Sequence, residues 1–238
     1  MNVKDATRIS MIKMWNKNKD LPKFIKIVRA TLNKPNSSPE IRGEMCEVVL
    51  ELILKKYIHD HNKPWFVSKG LILKDPDRLD SNYSTELDLT LFTESLVVAF
   101  ECKSYKGDKK LKEECSIYTK NSSGGYNFKY DVYSQHMKHF NVLHKNIKQC
   151  LETHKNVKPY KICLFQFAFG DLIDERDIKY KRLMPCIDET NINKFLDSLS
   201  NRERYWNLQE LKILINNLES DKITKTKEHL NYVKSIRR

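Results

Sequence analysis

An apolar segment that carries four charges, TELDLTLFTESLVVAFECKSY from Thr85 to Tyr105, constrains the fold of this chain most strongly. Alternating Leu, Val, Phe and Thr predict two antiparallel strands, and a tight turn centred on Glu94 and Ser95 would join them as a hairpin. Its charged residues are Glu86, Asp88, Glu101 and Lys103. A buried charge is unfavourable unless it is paired, so a core hairpin needs a reason to carry them.

The register of this hairpin determines which charges meet. Successive side chains of a strand point to opposite faces, so Glu86 and Asp88 share one face with Thr90. A turn at Glu94–Ser95 then places Asp88 opposite Glu101 and Glu86 opposite Lys103. Cross-strand partners lie ~5 Å apart, so the two facing carboxylates would repel each other.

A divalent cation would remove this repulsion. Mg²⁺ accepts oxygen ligands from one or two carboxylates and keeps other positions for water and phosphate, and Mn²⁺ is the other candidate. Lys103, on the face of Glu101, could hold or deprotonate an attacking water or stabilise charge on a scissile phosphate. The alternative is a solvated face with a cross-strand ion pair between Glu86 and Lys103. Val97 and Ala99 on the same face favour a covered strand instead.

The flanking segments predict an α/β domain. Residues 1–34 predict one or two basic amphipathic helices, a candidate arm that ends at NKPNSSP, so we divide the chain into an arm over 1–39 and a domain over 40–238. The order ααβββαββαα favours a central mixed sheet with helices on its faces and a helical C-terminus. Its other expected elements are helices at 40–57, 132–154, INKFLDSL and LQELKILINNLES, and strands at WFVSKGLILK, KICLFQFAF and IKYKRLMPC.

Composition and charge narrow the class of protein. The formal net charge of +12 raises the expectation of a polyanionic partner such as nucleic acid, although lysine-rich solubility is an alternative. Neither a membrane span nor a signal-peptide core is apparent, so we expect a cytoplasmic or nucleoid- or nucleus-accessible protein that binds no membrane. Six scattered cysteines without a CxxC pair are expected to stay reduced.

A lysine-rich segment follows the hairpin. Residues 107–129 are polar and punctuated by Gly and Ser, which predicts a long surface loop. Lysines interleaved with tyrosines are suited to follow a nucleic-acid backbone and stack on exposed bases, and a solvated loop is the alternative. Our candidate nucleic-acid contacts are Lys106, Lys109, Lys110 and Lys138.

Two weaker patterns concern the acidic residues near Glu44 and the histidines of the 132–154 helix. Glu47 and Glu51 lie on the same predicted helix as Glu44, and either could replace it in a metal site, but such residues more often form a solvated face. The histidines of the 132–154 helix match no compact zinc pattern, so polar surface is the favoured interpretation. His139 or Lys138, near Gln135, could contact a phosphate.

Three segments together resemble a known family. RGEMCEVVLELI, ELDLTLFTESLVVAFECKSYKG and DVYSQHMKHFNVL are similar in order and spacing to the nuclease-related domain pattern within the PD-(D/E)XK nuclease superfamily. The similarity spans about residues 40 to 215. The resemblance implies a restriction-endonuclease-like fold and a metal-dependent nuclease.

The resemblance also implies individual roles. Asp88 and Glu101 would ligate the metal together with the main-chain carbonyl of Cys102, and Lys103 would be the catalytic lysine. Glu44 would orient a ligand water or complete the site. Gln135 would lie at its edge, near the phosphate.

We therefore expect a Mg²⁺- or Mn²⁺-dependent endonuclease that acts on DNA rather than RNA, with a homodimer as one assembly. Two alternatives stay open at this point. One is an inactive nuclease fold that serves as a nucleic-acid-binding or assembly subunit, and the other is an RNA endonuclease. The full set of acids and lysine favours the enzyme, because a binding module has no need of unfavourable buried carboxylates.

Overall fold

The protein has a mixed α/β architecture with helices at both ends, as predicted. The computed structural model describes residues 2–32, 37–77, 83–105, 107–113, 115–150, 160–166, 172–220, 225–229 and 233. Within that part of the chain, the helices are α1 (Val3–Asn18), α2 (Leu21–Leu32), α3 (Pro39–Asp60), α4 (Val132–Cys150), α5 (Ile178–Leu183), α6 (Ile192–Ser200) and α7 (Leu208–Glu219). The strands are β1 (Phe66–Lys74), β2 (Ser84–Phe92), β3 (Val97–Lys103), β4 (Lys109–Lys112), β5 (Ser116–Lys120), β6 (Tyr126–Asp131), β7 (Tyr160–Gln166), β8 (Leu172–Asp174) and β9 (Cys186–Ile187).

The strands form two sheets. The five-stranded sheet has the order β1-β2-β3-β7-β9, in which β1, β2 and β3 are antiparallel neighbours and β7 and β9 are parallel. The four-stranded sheet has the order β6-β5-β4-β8, with β8 parallel to β4 and the other pairs antiparallel. The five-stranded sheet is mixed, which confirms the predicted fold class.

The chain forms two compact units. The first contains Met1–Lys63, Cys102–Asp131 and Leu164–Phe195. The second contains Pro64–Glu101, Val132–Cys163 and Leu196–Arg238. The predicted boundary after residue 39 falls inside the first unit, so a separate arm at that position stays a prediction.

Helix α3 begins and packs as its sequence requires. The Ser38 side chain accepts a hydrogen bond from the Ile41 amide, and Pro39 occupies the first turn, where its missing N–H has no helical partner to lose. Val49, Leu50 and Leu54 are fully buried. Helix α1 packs against this helix and against α2, where the rings of Trp15 and Phe24 meet edge to face.

The core of the second unit lies between the hairpin strands and two helices. Helices α4 and α7 pack on β1, and α4 also packs on β2. These helices remove the apolar residues that pack on them from water, and the hairpin residues Leu89, Leu91, Val98 and Phe100 are also buried. The core residues are Leu71, Leu73, Leu87, Phe92, Val97, Ala99, Val142, Leu143, Ile147, Trp206, Leu211, Leu214 and Leu218.

The prediction of a long surface loop over 107–129 is wrong. This segment forms β4 and β5 and begins β6, and Leu111 and Ile117 are fully buried. The strands escaped recognition because a lysine occupies an inward position: Lys109 is 0% exposed. Its ammonium donates hydrogen bonds to the carbonyls of Tyr105 and Gly107, which satisfy the buried charge.

The predicted strand at IKYKRLMPC is also wrong over most of its length. Residues Ile178–Leu183 form α5, and only Cys186 of that segment lies in a strand, β9. A six-residue helix is too short for its periodicity to be distinguished from alternation. The predicted helix from 132 is observed as far as Cys150, and the strand KICLFQFAF as far as Gln166, and their remaining residues lie outside the described part of the chain.

Of the helices in the described part of the chain, none has an apolar stretch long enough to cross a bilayer.

Candidate metal and catalytic site

The β2–β3 hairpin has the predicted register. Leu89 pairs with Phe100 and Phe92 with Val97, and the same register brings Asp88 and Glu101 to facing positions one step beyond the last of these pairs. Asp88 is half-buried and Glu101 is only 2% exposed. The register therefore aligns residue positions 88 and 101, and the carboxylate at position 101 is deeply buried.

The turn that sets the register is itself fixed by hydrogen bonds. The Thr93 amide donates to the Leu96 carbonyl, and the Thr93 hydroxyl oxygen accepts from the amides of Ser95 and Leu96. The Glu94 carbonyl accepts from the amides of Tyr205 and Trp206, at 2.8 and 2.9 Å. A one-residue slip of the hairpin would break these bonds and turn Glu101 to the other face.

A glycine on β1 stands across from Asp88. The pairs Lys69↔Leu89 and Leu71↔Leu87 leave Gly70 opposite this aspartate. Gly70 has φ of +63°, and a Cβ atom there would lie 3.3 Å from Glu86 Oε1, so a side chain would be strained and crowded. A side chain at this position would therefore contact Glu86, which flanks Asp88 on β2.

Glu86 takes a different position from the two facing acids. It is exposed, and its carboxylate lies 3.8 Å from His229 Nε2. In the first unit, the Lys103 ammonium lies over the Tyr130 ring at 4.9 Å from its centroid. A cation over an aromatic face is held by the ring's electron density, which orients the ammonium without removing its charge.

Two histidines that were assigned to polar surface lie beside Glu101. His136 is 1% exposed and His139 is 8% exposed, and both project from α4. Glu101 Oε2 lies 3.5 Å from His139 Nδ1 and 4.0 Å from His136 Nδ1. Their carboxylate and imidazole ligand atoms all lie within 4.8 Å of one another, a donor set that fits a divalent metal ion.

The signal for these histidines was present in the sequence but is weak. Residues three apart on a helix lie on one face, so His136 and His139 could be expected to act together. The third donor comes from a strand 35 residues earlier, and its distance to the histidines depends on how α4 packs on the hairpin. No local spacing rule contains that information.

The remaining residues of α4 differ in their surroundings. Gln135 is half-buried, and within the described part of the chain its Oε1 is buried without a hydrogen-bond partner. Lys138 is exposed. An amide oxygen and an ammonium at this position could contact a phosphate or its bound water, so the predicted roles of both residues stay predictions.

Glu44 and Cys102 lie in the first unit. Glu44 is 4% exposed on α3, and its Oε1 lies 3.7 Å from an Arg8 nitrogen of α1. Cys102 is buried in β3, and the role predicted for its carbonyl stays a prediction. On the same helix the Cys46 thiol donates to the Lys103 carbonyl at 3.5 Å, which ties α3 to the end of β3.

Glu51, a predicted substitute for Glu44, is held by two cations. Its oxygens lie 2.6 Å from Lys55 Nζ and 2.8 Å from an Arg8 nitrogen. Burial, the largest effect, raises the pKa of Glu51, but the hydrogen bonds and charges of Lys55 and Arg8 outweigh it and hold the pKa below its ordinary 4.5. Glu51 therefore stabilises the packing of α1 on α3.

Glu51→Gln is expected to destabilise the protein by about 1 kcal/mol at pH 7. Because the folded-state pKa is depressed, this stabilisation is complete above pH 4.5 and is lost as pH falls through the folded pKa. Urea unfolding at pH 7 and pH 3 measures both values, with exposed Glu203→Gln as the control. A destabilisation that is equal at the two pH values would contradict this assignment.

The predicted nucleic-acid lysines separate into different environments. Lys109 is buried and bonded to carbonyls, so we exclude it from any contact surface. Lys110 pairs with Glu175 at 2.5 Å and lies over the Tyr126 ring. Lys106 lies outside the described residues. Exposed Lys138 thus remains a candidate nucleic-acid contact. Lys110 also remains a candidate, but its charge is partly neutralised by Glu175.

The mixed sheet and the Glu-x-Lys sequence at the end of β3 are consistent with a nuclease domain of the PD-(D/E)XK type. A family model described as the nuclease-related domain matches residues 42–165, and the chain belongs to that family. Membership indicates a nuclease-related function and implies the use of divalent metal in general. No curated protein and no solved structure gave a significant match.

Proposed function

We propose that this protein is a metal-dependent endonuclease that hydrolyses phosphodiester bonds, with DNA as the expected substrate and Mg²⁺ or Mn²⁺ as the cofactor. One observation carries the proposal: the hairpin register sets Asp88 across from Glu101, two residues before Lys103 on β3. Two acids followed by a lysine can bind a divalent ion and act on a phosphodiester, which supports the proposal.

Asp88 and Glu101 are proposed to hold the cation, with help from the Cys102 carbonyl and from Glu44. When bound, a divalent ion neutralises the carboxylates, lowers the pKa of a coordinated water and stabilises charge on the phosphate. Glu101 is only 2% exposed, and a bound divalent ion would stabilise its buried carboxylate.

Lys103 is proposed to act on the reacting phosphate or on the attacking water. Two residues along a strand place its side chain on the face of Glu101, ~6.6 Å further on. The ammonium would hold the water by a hydrogen bond or stabilise the negative charge that grows on the phosphate oxygens. Contact with the Tyr130 ring restricts its motion and so lowers the entropy lost when it engages a phosphate.

Substrate contacts are proposed for Gln135 and for the lysines Lys106, Lys110 and Lys138. Lys138 is exposed and can pair with a backbone phosphate, and its contribution should weaken with salt. Tyr118 and the 56%-exposed Phe128, in edge contact on neighbouring strands, offer aromatic faces on which unpaired bases could stack.

A single incubation series tests this function. The purified full-length chain is incubated with supercoiled plasmid, single-stranded DNA or RNA, each with Mg²⁺, Mn²⁺ or EDTA. We expect nicking or linearisation of the plasmid with either ion and none with EDTA. Cleavage of RNA alone would replace DNA as the substrate, and intact polymers in every lane, with retained binding in a gel shift, would favour the inactive binding subunit.

A further inference from the structure

The group formed by Glu101, His136 and His139 has the composition of a site for a transition-metal ion. Magnesium favours oxygen donors and keeps several waters, whereas imidazole nitrogen is a ligand for borderline ions such as Zn²⁺, Fe²⁺ and Co²⁺. Two of the three donors here are imidazoles. An ion bound at Glu101 would therefore encounter nitrogen ligands that are of little use to Mg²⁺.

The spacing of the donor atoms supports coordination of a shared metal ion rather than hydrogen bonds between Glu101 and the two histidines. The separations of 3.5 and 4.0 Å between Glu101 Oε2 and the two Nδ1 atoms exceed the ~3.2 Å limit of a normal hydrogen bond. Ligand atoms that share an ion at ~2.1 Å lie ~3.0 to 3.4 Å apart in octahedral or tetrahedral geometry. All three donor atoms lie within 4.8 Å of one another, so a contraction of the group around an ion would bring them to these separations.

The two imidazoles are also arranged to donate from different directions. The rings of His136 and His139 stand at 90° with their centroids 5.9 Å apart, so they converge on Glu101 without stacking on each other. Successive positions on one face of α4 and a position on β3 supply the donors, and both elements are regular. Sites built on helices and strands are held more precisely than sites on loops.

Three ligands leave further coordination positions open. The group contains three donor residues, so an ion bound there could also accept a water or a phosphate oxygen. A site with three protein ligands and an open position is typical of catalytic rather than structural metal.

We propose that Glu101, His136 and His139 bind a divalent transition-metal ion in preference to Mg²⁺, with both histidines as direct nitrogen ligands. This inference deepens the proposed function. It rests on that function for the catalytic role of the ion, whereas the binding of the ion does not depend on it. The preference follows from the imidazoles: Mn²⁺ accepts both oxygen and nitrogen donors, and affinity rises from Mn²⁺ towards the later first-row ions.

The test measures binding without nucleic acid. Mn²⁺ is titrated into the full chain, followed by electron paramagnetic resonance, with Mg²⁺ as competitor and electron spin-echo modulation as the report of ¹⁴N ligands. We expect nitrogen modulation in the wild type and retention of bound Mn²⁺ in a ~10-fold excess of Mg²⁺. His136→Ala and His139→Ala should each weaken Mn²⁺ binding by roughly 10- to 100-fold, and the double variant should lose the nitrogen signal.

Controls separate this site from loss of fold and from loss of activity. His144→Ala changes another half-buried histidine of α4, outside the group, and should leave Mn²⁺ affinity and modulation unchanged. Asp88→Ala should abolish cleavage under the proposed function yet retain the nitrogen signal. Each variant is compared by circular dichroism and urea unfolding, and the conservative His139→Gln replaces any alanine variant that does not fold.

The outcomes are distinguishable. Mn²⁺ bound without ¹⁴N modulation in the wild type, or bound equally well by the wild type and a folded double histidine variant, would overturn the imidazole site even if the protein cleaves DNA. Nitrogen-ligated Mn²⁺ in a wild type that cleaves no polymer would support the site while removing the proposed function.

Discussion

Lys103→Ala is expected to lower phosphodiester cleavage by about 10²- to 10³-fold or more, while nucleic-acid affinity changes by less than ~3-fold. The ammonium acts where charge develops on the reacting phosphate, so its loss affects the transition state far more than the bound substrate. Plasmid nicking rates under single-turnover conditions, with gel shifts in Ca²⁺, measure the two quantities separately.

Lys129→Ala is the matched control for this variant. Lys129 is an exposed lysine beside Tyr130 on β6. The Lys129→Ala substitution therefore removes the same charge without removing the proposed catalytic group. We expect its cleavage rate to stay within ~3-fold of the wild type. Asp88→Ala should abolish cleavage, and full activity in both Asp88→Ala and Lys103→Ala would eliminate the proposed mechanism.

Asp174→Ala is expected to destabilise the protein by roughly 2 to 4 kcal/mol, the second large effect. The Arg176 side chain is fully buried, and its guanidinium makes a bidentate pair with Asp174 at 2.8 and 2.9 Å and donates to the Met184 carbonyl. Removing the carboxylate leaves a buried cation with one acceptor fewer on each side of the fork. Because Asp174 is 27% exposed, we place the loss towards the lower end of the range for buried pairs.

The acid dependence of this pair has a definite sign. Burial, the largest effect, raises the pKa of Asp174, but the hydrogen bonds and charge of Arg176 outweigh it and hold the pKa below its ordinary 3.8. The stabilisation is therefore complete above pH 3.8 and disappears as pH falls through the folded pKa. Urea midpoints of wild type and Asp174→Ala at pH 7 should differ strongly and should converge in acid.

The neighbouring Glu175 supplies the comparison for this prediction. It is exposed and pairs with Lys110, so Glu175→Ala should destabilise the protein far less than Asp174→Ala. Replacing both members of the buried pair, in Asp174→Ala with Arg176→Met, should recover part of the lost stability because no unpaired charge remains. An Asp174→Ala effect no larger than that of Glu175→Ala would contradict the assignment.

The hairpin shows what the sequence could specify. Alternation over β2 and β3 and a short polar turn leave few registers, and the facing of Asp88 and Glu101 follows from counting residues. Strands β4, β5 and β6 were not predicted because the segment is rich in lysine and polar residues, which obscures the alternation of buried and exposed positions. Lys109 lies inward although lysine is rarely buried, and its ammonium donates to two main-chain carbonyls there.

The histidine group marks the limit of the same reasoning. His136 and His139 form a face on α4 that has no chemical meaning by itself, because a polar helix face is usually solvated. Their role depends on the packing of that face on β3, which is a tertiary contact between positions far apart in the chain. The carboxylate of Glu101 was predicted as an oxygen ligand, and its nitrogen-bearing neighbours became visible only with the fold.

The hydrogen bonds from Tyr205 and Trp206 to the Glu94 carbonyl connect the segment matched by the family model with residues that follow it in the chain. The nuclease-related match ends at residue 165, yet these amides, the Ser95 hydroxyl's bond to the Leu199 carbonyl and the Arg204–Glu94 ion pair all come from later residues. A chain cut at residue 165 would keep each proposed catalytic side chain. It would lose the hydrogen bonds and the ion pair that hold the turn between the strands of Asp88 and Glu101. The turn that sets the register therefore depends on residues beyond the nuclease-related match, and an insertion between residues 165 and 199 should weaken the alignment of Asp88 with Glu101.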